Sequence, residues 1–256
     1  MDEETTARTP ETAAGNRIDV AMVLAAGLGT RMRPLTLQVP KPLISVGGKA
    51  MLDHVFARLR DHGITRAVVN MHWLADQIEN WAARQAPPPQ ILLSDERQAL
   101  LETGGGIRKA LPLLASDGPF FVLNSDSFWL DAKVPALQRL QEAWDDARMD
   151  CLVLTVPLAR AVGYAGRGDF KRDAQGRVRR GQGEGAEAFT GVYVVHPRLF
   201  RQAPEGAFSM NRLFDVAMKT GRMYAVSHDG LWLHVGTPDA IAAAEAAMAA
   251  WNPEPH

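Results

Sequence analysis

Between residues 18 and 123, short apolar runs alternate with segments that are apolar on one face only, and this alternation restricts the fold more than any other property of the chain. Residues 20–26, 67–70, 90–93 and 120–123 read as strands. Between the first two, Met51, Leu52, Val55, Phe56 and Leu59 fall on one helical face. Leu74, Ile78 and Trp81 form a second face, and a third helix over residues 104–111 starts on three glycines. Strands separated by helices pair in parallel, with the helices packed over them. Ligands in such sheets sit at the carboxyl ends of the strands, so the residues that follow each strand carry the functional reading.

Beyond residue 150 the pattern is richer in strand. A hairpin is expected from residues 168–172 and 177–180 around Gln175-Gly176, then a strand over 188–195 and a helix over 210–219. Thr237-Pro238-Asp239 reads as the start of a final Ala-rich helix, with Thr as N-cap and Pro in the first turn. Residues 1–17 have no apolar periodicity and read as a disordered leader. The 256-residue length suits one domain, over residues 18–251. No internal repeat is seen, and the oligomeric state stays open.

Composition excludes several partners. With 28 Lys and Arg against 29 Asp and Glu, the net charge is -1, which provides no basic field for nucleic acid or an anionic membrane. The one cysteine, Cys151, lies in an apolar run and reads as a buried structural thiol. No apolar run is long enough for a bilayer, and the acidic start, Asp2 to Glu4, is unlike a signal peptide. A cytoplasmic protein with small-molecule partners is the expectation.

The first strand ends in Gly27-Leu28-Gly29-Thr30-Arg31, followed by Pro34, Pro40, Lys41 and Pro42. Two glycines let backbone amides approach an anion, and Arg31 and Lys41 add positive charge on a stiffened loop. That combination fits a triphosphate. Met32 stands where a dinucleotide fingerprint needs its third glycine, and Gly48-Lys49-Ala50 lacks the Ser or Thr of a P-loop. The strand at 120–123 ends in Asn124-Ser125-Asp126, either an ordinary turn or a carboxylate at the site. Glu102-Thr103-Gly104-Gly105-Gly106 is either a loose helix start or a close approach of backbone to a planar ligand.

Residues 24–43 resemble the catalytic loop of the sugar-1-phosphate nucleotidyltransferase family, with its fixed glycines, Thr30, Arg31, Pro34, Thr36 and Pro40-Lys41-Pro42 all present. The resemblance extends over about residues 18–248. It implies a Rossmann-like three-layer domain with a mostly parallel central sheet and a strand-rich second half that binds the sugar. Glu102 to Ile107, Gly168-Asp169-Phe170, Phe189-Thr190-Gly191 and residues 232–237 resemble one branch in particular, the uridylyltransferases acting on N-acetylmuramic acid 1-phosphate in cell-wall recycling. Guanylyl, cytidylyl or thymidylyl transfer to mannose, glucose or heptose 1-phosphate, or a non-catalytic nucleotide-binding regulator, are the alternatives.

The roles that this resemblance implies are specific. Ala25, Ala26, Gly27, Gly29, Thr30, Arg31, Thr103 and Gly104 would bind the nucleoside triphosphate. Glu102, Asn124, Asp169, Thr190 and Gly191 would bind the sugar 1-phosphate. Arg31, Lys41 and Asp126 would be catalytic, with Asp126 holding a divalent ion, Mg²⁺ in the first place. His234 stands where relatives carry the aspartate that completes the metal site. Its imidazole has three readings: ligand to a softer ion such as Mn²⁺ or Co²⁺, phosphate-binding cation, or no ligand at all.

Overall fold

The computed structural model describes residues 17–252. The expected leader lies outside the described residues except for Arg17, whose guanidinium donates to the carbonyl of His62 at 3.1 Å.

The alternating half consists of β1 (Val20–Leu24), a short hairpin of β2 (Ser45–Val46) and β3 (Lys49–Ala50), α1 (Met51–His62), β4 (Arg66–Met71), α2 (Ala75–Ala83), β5 (Gln90–Asp95), α3 (Glu102–Leu114) and β6 (Phe120–Asn124). The other half continues with β7 (Ser127–Leu130), α4 (Ala136–Ala143), β8 (Cys151–Pro157), β9 (Ala161–Val162), β10 (Phe170–Arg172), β11 (Val178–Arg180) and β12 (Ala186–Val195). It ends with α5 (Asn211–Lys219), β13 (Met223–Ser227), β14 (Leu231–His234) and α6 (Asp239–Ala250).

Nine strands make one sheet. Within it β5, β4, β1 and β6 lie side by side in parallel, and β4, β5 and β6 are each reached through a helix that crosses over the sheet. β12 then runs antiparallel to β6, β8 and β10, while β13 lies parallel to β8 and β11 antiparallel to β10. β11 and β12 therefore oppose the other seven strands, and the sheet is mostly parallel.

Successive side chains of a strand face opposite sides of its sheet. Ala21 and Val23 of β1 enter one core with Leu52 and Phe56 of α1, Ile78 of α2 and Leu140 of α4. Val20 and Met22 enter the other with Ile107 and Leu114 of α3 and Phe214 of α5. A strand apolar on both faces thus becomes the middle layer of three. All five apolar positions on the predicted face of α1 are buried, and Gly63, left-handed at φ 81, ends that helix. Burial of each large apolar side chain contributes about 1.5–3 kcal/mol.

A smaller sheet, β7-β14-β9, was not foreseen. Its Phe128 and Leu233 form a third core with Met32, Ile44, Met51 and Ala244. This core presses the loop after β1 against the strands that carry Ser127 and His234. Two boundaries also differ from expectation. α3 begins at Glu102 rather than Gly104 and runs past Pro112, and α6 begins at Asp239 with no side-chain cap. Thr237 contributes its carbonyl instead, accepting from the Ala240 amide at 3.1 Å. No helix among the described residues is long and apolar enough to cross a membrane.

Candidate active site

An open cleft of about 320 Å³ lies at the carboxyl ends of β1, β4 and β6, a size within the range of small-molecule sites. Ala25, Ala26, Gly27, Gly29, Thr30, Arg31, Lys41, Glu102, Thr103, Asn124 and Asp126 line it, all singled out from the sequence. Two loops that are remote in sequence, 25–41 and 100–103, form its walls.

The two glycines of the first loop differ in kind. Gly29 is left-handed at φ +61, and a methyl group there would come within 2.8 Å of Thr36 Cγ2 and 3.0 Å of Lys41 Cβ. Its absence lets the loop fold over its own continuation, where Thr36 Oγ1 donates to the Gly29 carbonyl at 2.8 Å. Gly27 faces no protein atom within 4 Å. The room beside Gly27 is cleft.

Lys41 is buried, and its Nζ donates to Asp126 Oδ2 at 2.9 Å. Burial pushes the Asp126 carboxyl up, but Lys41, through its charge and its hydrogen bond, together with Arg31 outweighs it and holds the group below the usual carboxylate range. Asp126 is therefore ionised at neutral pH. Arg31 is exposed at the cleft.

His234 ends β14 opposite Ser127 and does not itself line the cleft, although Gly236 does. A methyl group on Gly236 would stand 2.7 Å from His234 Nε2 and 3.4 Å from Arg31 Nη1. Burial lowers the imidazole below its usual value, Lys41 and Arg31 adding to the effect and Asp126 opposing it. A lowered value favours the neutral ring, which weighs against the reading of His234 as a phosphate-binding cation. Its Nδ1 is buried without a hydrogen-bond partner. An orphaned imidazole nitrogen near an ionised carboxylate suits a divalent cation, but no cluster of three or more His, Cys, Asp or Glu among the described residues could hold one. Such an ion would need phosphate oxygens and water for its other positions.

Four other expected site residues prove to be occupied by the protein. Gly104 is buried; a methyl group there would stand 2.3 Å from the Phe208 ring, and its amide already donates to the Phe208 carbonyl at 2.8 Å. The glycine run thus serves helix packing rather than a planar ligand. Thr190 sits in a bulge of β12 with 1% exposure, its hydroxyl donating to Leu154 O at 2.8 Å and accepting from the Val192 amide at 3.2 Å. The hydroxyl proton is spent within the protein, and burial keeps a sugar hydroxyl from the remaining lone pair. Gly191, at φ +79, makes room for the Asn124 side chain, which a Cβ would approach to 2.6 Å. Asp169 Oδ2 accepts from Tyr164 Oη at 3.0 Å and from the Phe189 amide at 2.9 Å, and the residue is not part of the cleft lining.

The cleft also contains residues that the sequence reading passed over: Asn70, Leu100, Ser125 and Gly236. Asn70 gave no local sign: it stands one residue before the end of β4, and only the parallel register sets it beside Leu24, which Asn124 of β6 flanks on the other side.

Residues 20–250 match the nucleotidyl transferase family. The chain belongs to that family. It is a nucleotidyltransferase. The N-acetylmuramate alpha-1-phosphate uridylyltransferase of Caulobacter vibrioides is 44% identical to it over 235 residues, covering 90% of this chain and 97% of that one. A Neisseria meningitidis protein of the same name is 35% identical over 237 residues, covering 91% and 99%. Among solved structures, HddC from Yersinia pseudotuberculosis, complexed with GMP-PN, has a TM-score of 0.73 at 22% identity, with 90% of this chain and 100% of that chain covered. That likeness establishes the shared fold.

Proposed function

We propose that the chain transfers UMP from UTP to N-acetylmuramate α-1-phosphate, releasing pyrophosphate. A phosphate oxygen of the sugar attacks the α-phosphorus, the bond from that phosphorus to the bridging oxygen breaks, and the electron pair leaves with pyrophosphate. A phosphate monoester has its second pKa at about 6, so the nucleophile needs no side-chain base. Catalysis consists of alignment and charge neutralisation. One observation carries the reading: the open room beside Gly27, with Arg31 exposed at one side and the Lys41–Asp126 pair at the other. The two relatives named as uridylyltransferases, matched over nearly their whole length, support the choice of substrates.

In this reading the 25–31 loop and Arg31 bind the triphosphate, Lys41 leaves Asp126 to bridge the α-phosphate and the incoming phosphate, and Glu102, Thr103 and Asn124 contact the nucleoside and sugar. Asp126 and His234 would hold a divalent ion, which would supply charge neutralisation at the α-phosphoryl oxygens. The test is a pyrophosphate-release screen of sugar 1-phosphates against the four common triphosphates. UTP with N-acetylmuramate 1-phosphate is expected to be fastest; release without sugar phosphate, or preference for GTP with mannose 1-phosphate, overturns the assignment. For the ion, Mn²⁺ or Co²⁺ binding to the protein should weaken in His234→Ala, and His234→Asp should move preference towards Mg²⁺. Unchanged metal affinities in both variants would remove His234 from the site.

A further inference from the structure

The peptide that joins Leu24 to Ala25, at the root of the glycine loop, is gripped from both sides. Its carbonyl accepts from Ser125 Oγ at 2.6 Å and from the Ser125 amide at 3.2 Å, and its amide donates to Asn70 Oδ1 at 2.7 Å. From Asn70 the series continues: Nδ2 donates to Glu96 Oε1 at 2.7 Å, and Glu96 Oε2 accepts from the Leu101 amide at 3.1 Å. An unbroken line of hydrogen bonds therefore runs from the end of β6, beneath the cleft, to the residue before α3. At that far end Leu100, Glu102 and Thr103 form the wall that faces the glycine loop.

Three observations set this line apart from ordinary packing. Asn70 and Glu96 are only 2% and 1% exposed, so water does not compete for their bonds. Space is kept for them: a methyl group on Gly106 would come within 2.7 Å of Glu96 Oε1 and 2.8 Å of Asn70 Nδ2. Glu102, next to the anchored Leu101, holds a left-handed φ of 59, a conformation that a non-glycine residue adopts only when its surroundings impose it. Glu96 does not line the cleft. A buried carboxylate is costly to keep, and one of its oxygens is spent directly on the 100–103 wall while the other reaches the glycine loop through Asn70.

We infer that Asn70 and Glu96 are positioning residues that fix the 100–103 wall relative to the triphosphate loop, and so set how firmly the nucleoside end of the substrate is held. The inference rests on a nucleoside triphosphate occupying this cleft. Glu96→Gln replaces two acceptors by one, so either Asn70 or the Leu101 amide loses its partner, while Ala25 keeps its bond to Asn70. Asn70→Asp places a second carboxylate against Glu96. Combining Asn70→Asp with Glu96→Gln reverses the direction of the central bond: the position-70 carboxylate accepts from Ala25 and from the position-96 amide, whose oxygen accepts from Leu101. Charge and connectivity are both restored.

The experiment measures binding of UTP and of inorganic tripolyphosphate to the full chain by calorimetry, with steady-state kinetics alongside. For Glu96→Gln, UTP affinity should fall about tenfold, the cost of one broken hydrogen bond to a charged group. Tripolyphosphate affinity and the KM for sugar phosphate should stay within about twofold. The double variant should recover UTP affinity to within about threefold of the unsubstituted chain, even where a single variant folds poorly. Equal loss of UTP and tripolyphosphate in Glu96→Gln, or a double variant that folds but does not recover UTP affinity, overturns the inference. A wild-type chain that binds UTP yet transfers nothing to any sugar phosphate overturns the proposed reaction and leaves this test standing.

Discussion

The glycine loop after β1 and the bulge in β12 both interrupt regular structure, but they spend their polar groups differently. In the loop, Arg31 remains exposed and the space beside Gly27 remains open. In the bulge, the Thr190 hydroxyl is taken up by Leu154 and Val192, and Gly191 yields its space to Asn124. A polar group satisfied within the protein holds a shape, whereas one left to solvent is available to a ligand. Two segments that look equally functional in sequence therefore have different duties: one lines the cleft with groups left to solvent, and the other supports Asn124, a residue of the cleft lining.

The sharpest way to break this contrast is to remove the charges of the loop. Arg31→Ala and Lys41→Ala should each lower kcat/KM about a hundredfold or more, since one preorganised charge donor is worth roughly 3–4 kcal/mol in a transition state. Arg31→Ala should leave the Tm unchanged. Lys41→Ala should lower it, because Asp126 is left without its buried partner. A folded variant of near-normal activity at either position would show that the loop does not hold the triphosphate.

The bulge should respond in the opposite manner. Thr190→Val preserves shape but removes the hydroxyl's bonds to the Leu154 carbonyl and the Val192 amide, a loss of about 1–3 kcal/mol in denaturant unfolding, with the KM for sugar phosphate within about twofold of normal. A raised KM at unchanged stability would make Thr190 a substrate contact and erase the difference. A finer comparison lies within the loop itself. Gly29→Ala should cost about 1–2 kcal/mol of stability from its left-handed backbone, while Gly27→Ala should leave the Tm alone and raise the KM for UTP. Equal Tm losses would mean that the room beside Gly27 is needed for folding.

The smallest effect concerns pH. His228 precedes β14, with its Nε2 donating to the Leu130 carbonyl at 3.2 Å. Burial lowers its pKa most, Arg139 adds to this, and Asp131, the Leu130 bond and Asp229 oppose it. Below an unfolded value of about 6.5 the unfolded chain binds the proton that the folded chain resists, so stability should fall as pH drops from 6.5 through the lowered folded value, and should be flat with respect to this group above 6.5. His228→Gln should flatten that slope in unfolding measurements without changing the pH profile of turnover; a slope identical to that of the unsubstituted chain would exclude His228 as its source.

Helical and strand periodicity made the three layers legible because the core of this fold is local in its pattern: the buried face of α1 is written in five residues, Met51 to Leu59. The glycine loop was legible because unusual residue types lie close together. What stayed hidden depends on pairing between distant segments. Asn70 looks like any polar residue ending a strand until the parallel register sets it beside Leu24. Whether Gly104 makes room for a ligand or for protein is decided by Phe208, a residue far along the chain. β7 and β14 are joined through Ser127 and His234, and no local periodicity announces that pairing.

The ion pair of Lys41 with Asp126 has a consequence for how an anion arrives. With Lys41 paired to Asp126 at 2.9 Å, the cleft presents Arg31 and backbone rather than two free cations, and its long-range field is weaker than its residues imply. Ionic strength should then act mildly on the first encounter. Capture, in the proposed reading, would be a different event, an exchange of partners in which Lys41 turns to phosphate as something else takes its place beside Asp126. A cleft that works this way would discriminate after contact, by what its occupant can offer a deserted carboxylate.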